Sequence, residues 1–170
     1  MVRYKPGENL KQDVWTIFRI ILRGNFDSFL RCHESARIFC NILERFGYDV
    51  EVVDGFYVYD EKKLWHSWVE FVDLYETIII ETNPQQVFPN LSGTELLKSL
   101  LISQDDERFT RYCPISKKEF LEFCKNNNIQ IDENQVKLLS EVIFQSMKKV
   151  IVRKNRQSTY EETEGNREVK

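Results

Sequence analysis

The chain has 170 residues, Lys+Arg 24 against Asp+Glu 27, and 42% hydrophobic side chains; that length and apolar content predict one globular domain with its own core and exclude disorder throughout. A formal net charge of −3 gives no global field for gripping phosphates, so nucleic acid is not the expected partner. No segment approaches the roughly 18–20 apolar residues that span a bilayer, and the charged N-terminus does not read as a secretory leader, because Arg19 interrupts its apolar stretch 14–22.

In chain order, Leu10, Val14, Ile17, Phe18, Ile21 and Leu22 recur at helical spacing before Gly24, which predicts a first helix over residues 9–23. A second helix follows, with Asp27 or Ser28 as N-cap and Gly47 as its stop; Phe29, Cys32, Ala36, Phe39, Cys40, Leu43 and Phe46 make its apolar stripe. Cys32 then lies in or just after the first turn, and His33, about 100° further around the helix, is read as a surface residue.

The period then changes to alternation. Residues 48–59, 64–72 and 77–82 are rich in Val, Ile, Tyr, Phe and Trp and read as three antiparallel strands, ended by Pro84 and Pro89. Three further helices are predicted near 93–103, 117–126 and 133–150, each opened by a capping pair: Ser92 with Glu95, Ser116 with Glu119, and Asp132 with Gln135. Residues 155–170 carry too little apolar surface to bury and are expected to be a disordered tail, leaving a single domain over 1–154.

Cys32, Cys40, Cys113 and Cys124 contain no C-x-x-C pair, and only His33 and His66 could join them as ligands. Neither a metal nor another cofactor is therefore expected. Reduced thiols, with no leader and no span, predict a soluble, cytoplasmic protein.

Cysteine-based acyl chemistry needs a thiolate, a histidine to share its proton, and a third group to hold the imidazole. Cys32 at a helix N-terminus would feel unpaired N–H groups and the positive dipole end, and His66 stands on the second predicted strand. If residues 73–76 form a four-residue loop, Val72 pairs with Thr77, so Asn83 lies opposite His66 and Glu81 diagonal to it, both within reach on one face. Either residue can serve as the orienting group.

From Cys32 the chain reads C-x3-A-x10-G-x5-V-x-G through Ala36, Gly47, Val53 and Gly55, and His66-Ser67-Trp68-Val69-Glu70 follows. This pattern resembles the catalytic core of the transglutaminase-like superfamily, over about residues 28–84. The resemblance implies an α+β, papain-like fold: N-terminal helices carrying the cysteine, a small antiparallel sheet carrying the histidine, and C-terminal helices, here about 92–150, covering the sheet or flanking the cleft. It also implies a triad in which Cys32 is the nucleophile, His66 the proton carrier and Glu81 the orienting acid, where the family normally has aspartate; Asn83 is the alternative. Leu30 stands where the family has a small residue.

The implied activity is cysteine-dependent hydrolysis or transamidation of an amide in a peptide or protein, through a thioester. The oxyanion would meet the Cys32 N–H and a second donor, with Trp15 and Asn25 as candidates, and Trp68 would shield the pair. The rival readings are an inactive relative that binds a peptide or protein through the old cleft and, last, a nucleic-acid adaptor using the basic run Lys148, Lys149, Arg153, Lys154 and Arg156.

Overall fold

A computed structural model describes residues 5–28 and 30–164, with side chains described for 5–27 and 30–149. Among these, six α-helices and a five-stranded antiparallel sheet form one α+β unit. The first helix, α1 (Leu10–Arg23), opens on Asn9, whose side chain accepts from the Gln12 N–H, and buries Val14, Ile17, Phe18 and Ile21. The second, α2 (Cys32–Arg45), starts later than expected. Phe26–Ser28 forms a separate 3₁₀ turn, so Asp27 and Ser28 are not its caps; Arg31 takes that place with no side-chain bond to the helix. The stop is as expected: Gly47, at φ 93°, turns the chain while its N–H bonds the Glu44 carbonyl.

The sheet contains β1 (Val50–Tyr59), β2 (Lys62–Val72), β3 (Thr77–Ile80), β4 (Leu101–Ile102) and β5 (Tyr112–Pro114), in the order β4-β3-β2-β1-β5. Two strands therefore escaped the periodicity, because runs of two and three residues carry no alternation to read. One of them, β4, takes the end of the expected helix 93–103. That helix is α4 (Gly93–Lys98), ended where Ser99 Oγ donates to the Leu96 carbonyl and Leu101–Ile102 pair with Ile79–Ile80. The β1–β2 hairpin turns on Asp60 and Glu61, both at positive φ, so β2 begins two residues before the expected position. The Val72↔Thr77 register is as read from the sequence.

A short α3 (Pro84–Val87) uses Pro84 as its first residue, α5 (Lys117–Asn126) carries the complete Ser116/Glu119 capping box, and Asp132 caps α6 (Glu133–Glu164) through Gln135 N–H. Ser92, by contrast, makes no side-chain cap bond. α6 runs on to Glu164, where a disordered tail is expected from residue 155; no Gly or Pro lies between residues 133 and 164 to stop a helix. Residues 165–170 lie outside the described residues, as do the side chains of Arg153, Lys154 and Arg156 in the basic run.

The sheet separates two cores. On one face Val50, Val69 and Ile80 pack with α1, α2 and α6; on the other, Tyr57, Trp68, Ile79, Ile102 and Tyr112 form a smaller aromatic cluster. β3 leaves β2 after Ile80, so the edge of β2 around Trp65–Ser67 has no strand beside it. The first turn of α2 and the side chain of Gln86 fill that gap. Ser35 Oγ donates to the Thr82 carbonyl at 2.8 Å, and Gln86 Nε2 donates to the Trp65 carbonyl at 3.3 Å.

Candidate active site

The first turn of α2, which begins at Cys32, enters this gap beside His66 of β2, and the thiol and the ring each shift the other's proton affinity. His66 and Glu81 are 0% exposed and Cys32 is 4% exposed, so the group is recessed. Glu81 leaves the ladder just after Ile80 and turns diagonally under His66, placing its two carboxylate oxygens 3.0 and 2.9 Å from Nε2. Its remaining lone pairs accept from the Tyr112 hydroxyl at 2.6 Å and the Asn83 backbone N–H at 2.8 Å. Asn83 thus supports the acid through its main chain, and Glu81 is the residue that holds the ring.

The protonation of His66 follows from its partners. Gln86 has its amide nitrogen on Trp65, so its Oε1, 3.2 Å from His66 Nδ1, must accept a proton from that atom. Nε2 donates to a carboxylate. Both ring nitrogens then carry hydrogen, and the ring is an imidazolium.

No family model, curated protein or solved structure matches this chain.

The electrostatics agree with the hydrogen bonding. Burial alone pushes the Cys32 thiol up, but hydrogen bonds from His33 and His66, with the field of both rings, outweigh it and bring the thiol down to about 6. Burial pushes His66 down, yet the Glu81 charge, reinforced by hydrogen bonds to Cys32 and Glu81, holds it well above the ordinary imidazole range. Tyr112 is raised by burial and by the same carboxylate, so it remains a hydroxyl donor. The arrangement is a buried imidazole–carboxylate pair beside a thiol of lowered proton affinity. Cys40 differs: burial and Glu44 push it up to about 12.

His66 and Cys32 make opposite contributions to the pH dependence of folding. The raised His66 adds stability that is complete below 6.5 and is lost as pH climbs through about 10. The lowered Cys32 adds stability that is complete above 9.0 and is lost as pH falls through about 6. Between 6.5 and 9 the two slopes oppose, so urea melts of the wild type should vary little there. In Cys32→Ala only the His66 slope survives, and stability should fall as pH rises across that window. A Cys32→Ala protein as flat as the wild type would contradict the paired ionisation.

Several members of this site were missed from the sequence. His33 is 5% exposed rather than a surface residue, because the first turn of α2 is enclosed from Cys32 to Ala36. Its Nδ1 lies 2.6 Å from Ser67 Oγ, and Ser67 donates to Asp54, which Arg37 holds through both guanidinium nitrogens at 3.3 and 3.2 Å. Tyr112 and Gln86 were also missed. The only sequence signals were an adjacent Cys-His pair and the strand alternation that puts Asp54 and Ser67 on the helix side of the sheet.

Trp68 is fully buried, with its ring 6.3 Å from that of His66 and Nε1 donating to Glu70, as fits a shield. Trp15 has its ring against Lys11 and Arg19 of its own helix, and its buried Nε1 has no partner among the described residues; Asn25 is exposed at φ 54°. Leu30 is a core residue. Beyond His66 lies a cavity of about 520 Å³ whose wall includes Tyr57, Gln86, Phe88, Arg108 and Arg111; Gln86 and Tyr57 also flank the His66 ring. Among the described residues no group of His, Cys, Asp and Glu is placed to hold a metal ion, and no helix is long and apolar enough to cross a membrane.

Proposed function

We propose that the protein is a cysteine-dependent acyl-transfer enzyme of transglutaminase-like type, which cleaves or transamidates an amide bond in a peptide or protein. The observation that carries this reading is the buried His66–Glu81 pair, 2.9 Å apart, with Cys32 opening α2 beside it and its thiol lowered to about 6. A purely structural cysteine in a core behaves like Cys40, with its thiol raised by burial. Sulfur attacks the carbonyl carbon, the imidazolium protonates the departing amine, and water or a second amine resolves the thioester. Because Cys32 is recessed, the reading favours a narrow extended segment as substrate over the face of a folded protein.

The experiment is a peptide library carrying a carbonyl electrophile, followed by intact-mass analysis. The expected result is one adduct per chain, located on Cys32 and absent from Cys32→Ala. An unmodified chain, or adducts spread over Cys40, Cys113 and Cys124, would overturn the enzyme reading. Burial of the triad favours one rival, a peptide-binding module without turnover. That rival predicts saturable peptide binding that Cys32→Ala leaves intact and no adduct.

A further inference from the structure

We infer that the cavity of about 520 Å³ beyond His66 is a subsite for a carboxylate carried next to an apolar side chain, so that the segment taken by this protein is an acidic peptide. The inference deepens the reading of the site as one for a narrow extended peptide and rests on it, but its test is made by binding, without turnover.

The β-ladder places the cavity relative to the site. Tyr57 of β1 lies opposite Leu64 of β2, and Tyr59 opposite Lys62. Side chains alternate along a strand, so Lys62 and Leu64 stand on the face of β2 that carries His66. All four residues line the cavity. Gln86 is a shared wall: its Oε1 meets His66 Nδ1 at 3.2 Å, and the same side chain borders the cavity. From His66 to Lys62 the strand runs about 13 Å, at roughly 3.3 Å per residue.

The charge of the wall is opposite to that of the chain. The protein carries a formal net charge of −3, yet the charged residues lining the cavity are Lys62, Arg108 and Arg111, with no acid among the described ones. The three are not equivalent. Arg108 is engaged by both carboxylate oxygens of Asp106, at 3.0 and 2.6 Å, and lies over the Phe88 ring, so it serves as wall. Arg111 has Glu107 as its acid, at 3.6 Å, too far for a hydrogen bond, and the Glu107 side chain faces water. Aromatic groups hold Arg111 instead: its guanidinium lies 4.5 Å from the centre of the Tyr59 ring, and Nη1 donates to the Tyr57 hydroxyl oxygen at 3.4 Å. Tyr57 is 3% exposed, and its own hydroxyl hydrogen has no acceptor among the described residues. Lys62 is exposed and joins no ion pair among them.

The cavity thus presents a guanidinium fork, a buried hydroxyl and an ammonium, set among Tyr59, Leu64 and Phe88. Donors that lack an acceptor are matched by a carboxylate, and the apolar walls by the side chain beside it. An extended peptide also advances roughly 3.3 Å per residue, so its carboxylate would lie about three or four residues from the part held beside His66.

The test is titration calorimetry of the Cys32→Ala protein with extended peptides that carry Glu or Gln at successive positions and end in a free or an amidated C-terminus. At one position Glu should bind about tenfold more tightly than Gln, and added salt should shrink the difference. A preference for the free C-terminus, with Glu and Gln equal, supports the same subsite and assigns the carboxylate to the chain end. Introduced into that protein, Arg111→Gln should abolish the preference, and Lys62→Gln should reduce it about two- to threefold. Equal binding of acidic and neutral peptides, or no saturable binding of any, overturns the inference. So does a preference that survives Lys62→Gln and a folded Arg111→Gln; should the latter not fold, Lys62→Gln decides alone. Wild-type adducts on Cys32 without a preference for acid overturn the subsite and leave the proposed function standing. A carboxylate preference without any adduct overturns the enzyme reading and leaves the subsite.

Discussion

Glu81→Ala should lose about 3–5 kcal/mol of folding stability, the usual consequence of removing one partner from a buried ion pair. The size of the effect comes from what is left behind. His66 Nε2–H, the Tyr112 hydroxyl and the Asn83 N–H all donate to this carboxylate, and none would find another acceptor in a site where His66 and Glu81 are 0% exposed. Without the Glu81 charge, burial would drive His66 toward its neutral form, and the Cys32 thiol would lose the field of that ring. Chemical denaturation and the 240 nm thiolate band should therefore fall together. A loss below about 1 kcal/mol, in the range of an exposed pair, would show that water reaches the carboxylate and that the buried pair is wrong.

The second large effect is expected at Gly55, which pairs with His66 on one side of β1 and Pro114 on the other. A Cβ there would lie 2.1 Å from the Cys113 carbonyl oxygen and 2.9 Å from its carbon, and the atoms it meets are β5 backbone, so no flexible side chain can yield. Gly55→Ala should cost about 2–4 kcal/mol, combining overpacking with loss of ladder hydrogen bonds. The displacement would also reach the site, because β5 carries Tyr112 to Glu81. The thiol midpoint of a surviving folded fraction should therefore change. Gly47→Ala is the control. Gly47 has φ 93°, but a Cβ added there would meet nothing within 4 Å, so backbone strain alone should cost about 1 kcal/mol and leave the thiol untouched. Equal losses in the two variants would remove the close-approach explanation for Gly55.

The legible parts of the fold were those written in local periodicity. Leu10 to Leu22 and Cys32 to Phe46 mark two helices, and the alternation through β1 and β2 marks two long strands. The Val72↔Thr77 register, read from a four-residue loop, already put Glu81 diagonal to His66. Loop chemistry alone left Asn83 equally available; the choice fell to Glu81 because the chain leaves the ladder after Ile80 and turns Asn83 into the start of α3. The short strands β4 and β5 were invisible for a related reason, since their only cause is an edge offered by β3 or β1.

Local order along the chain was thus enough to point to Cys32, His66 and either Glu81 or Asn83 as candidates, because residue type and period are properties of neighbouring positions. Their enclosure was not, and neither were His33, Ser67, Asp54, Gln86 and Tyr112 as members of one network. Those depend on an unpaired stretch of β2 admitting the first turn of α2, and on each buried donor finding its acceptor across distant parts of the chain. Only packing in three dimensions brings such partners together, since the cost of an unmatched polar group is set by what surrounds it and not by what precedes it in the chain.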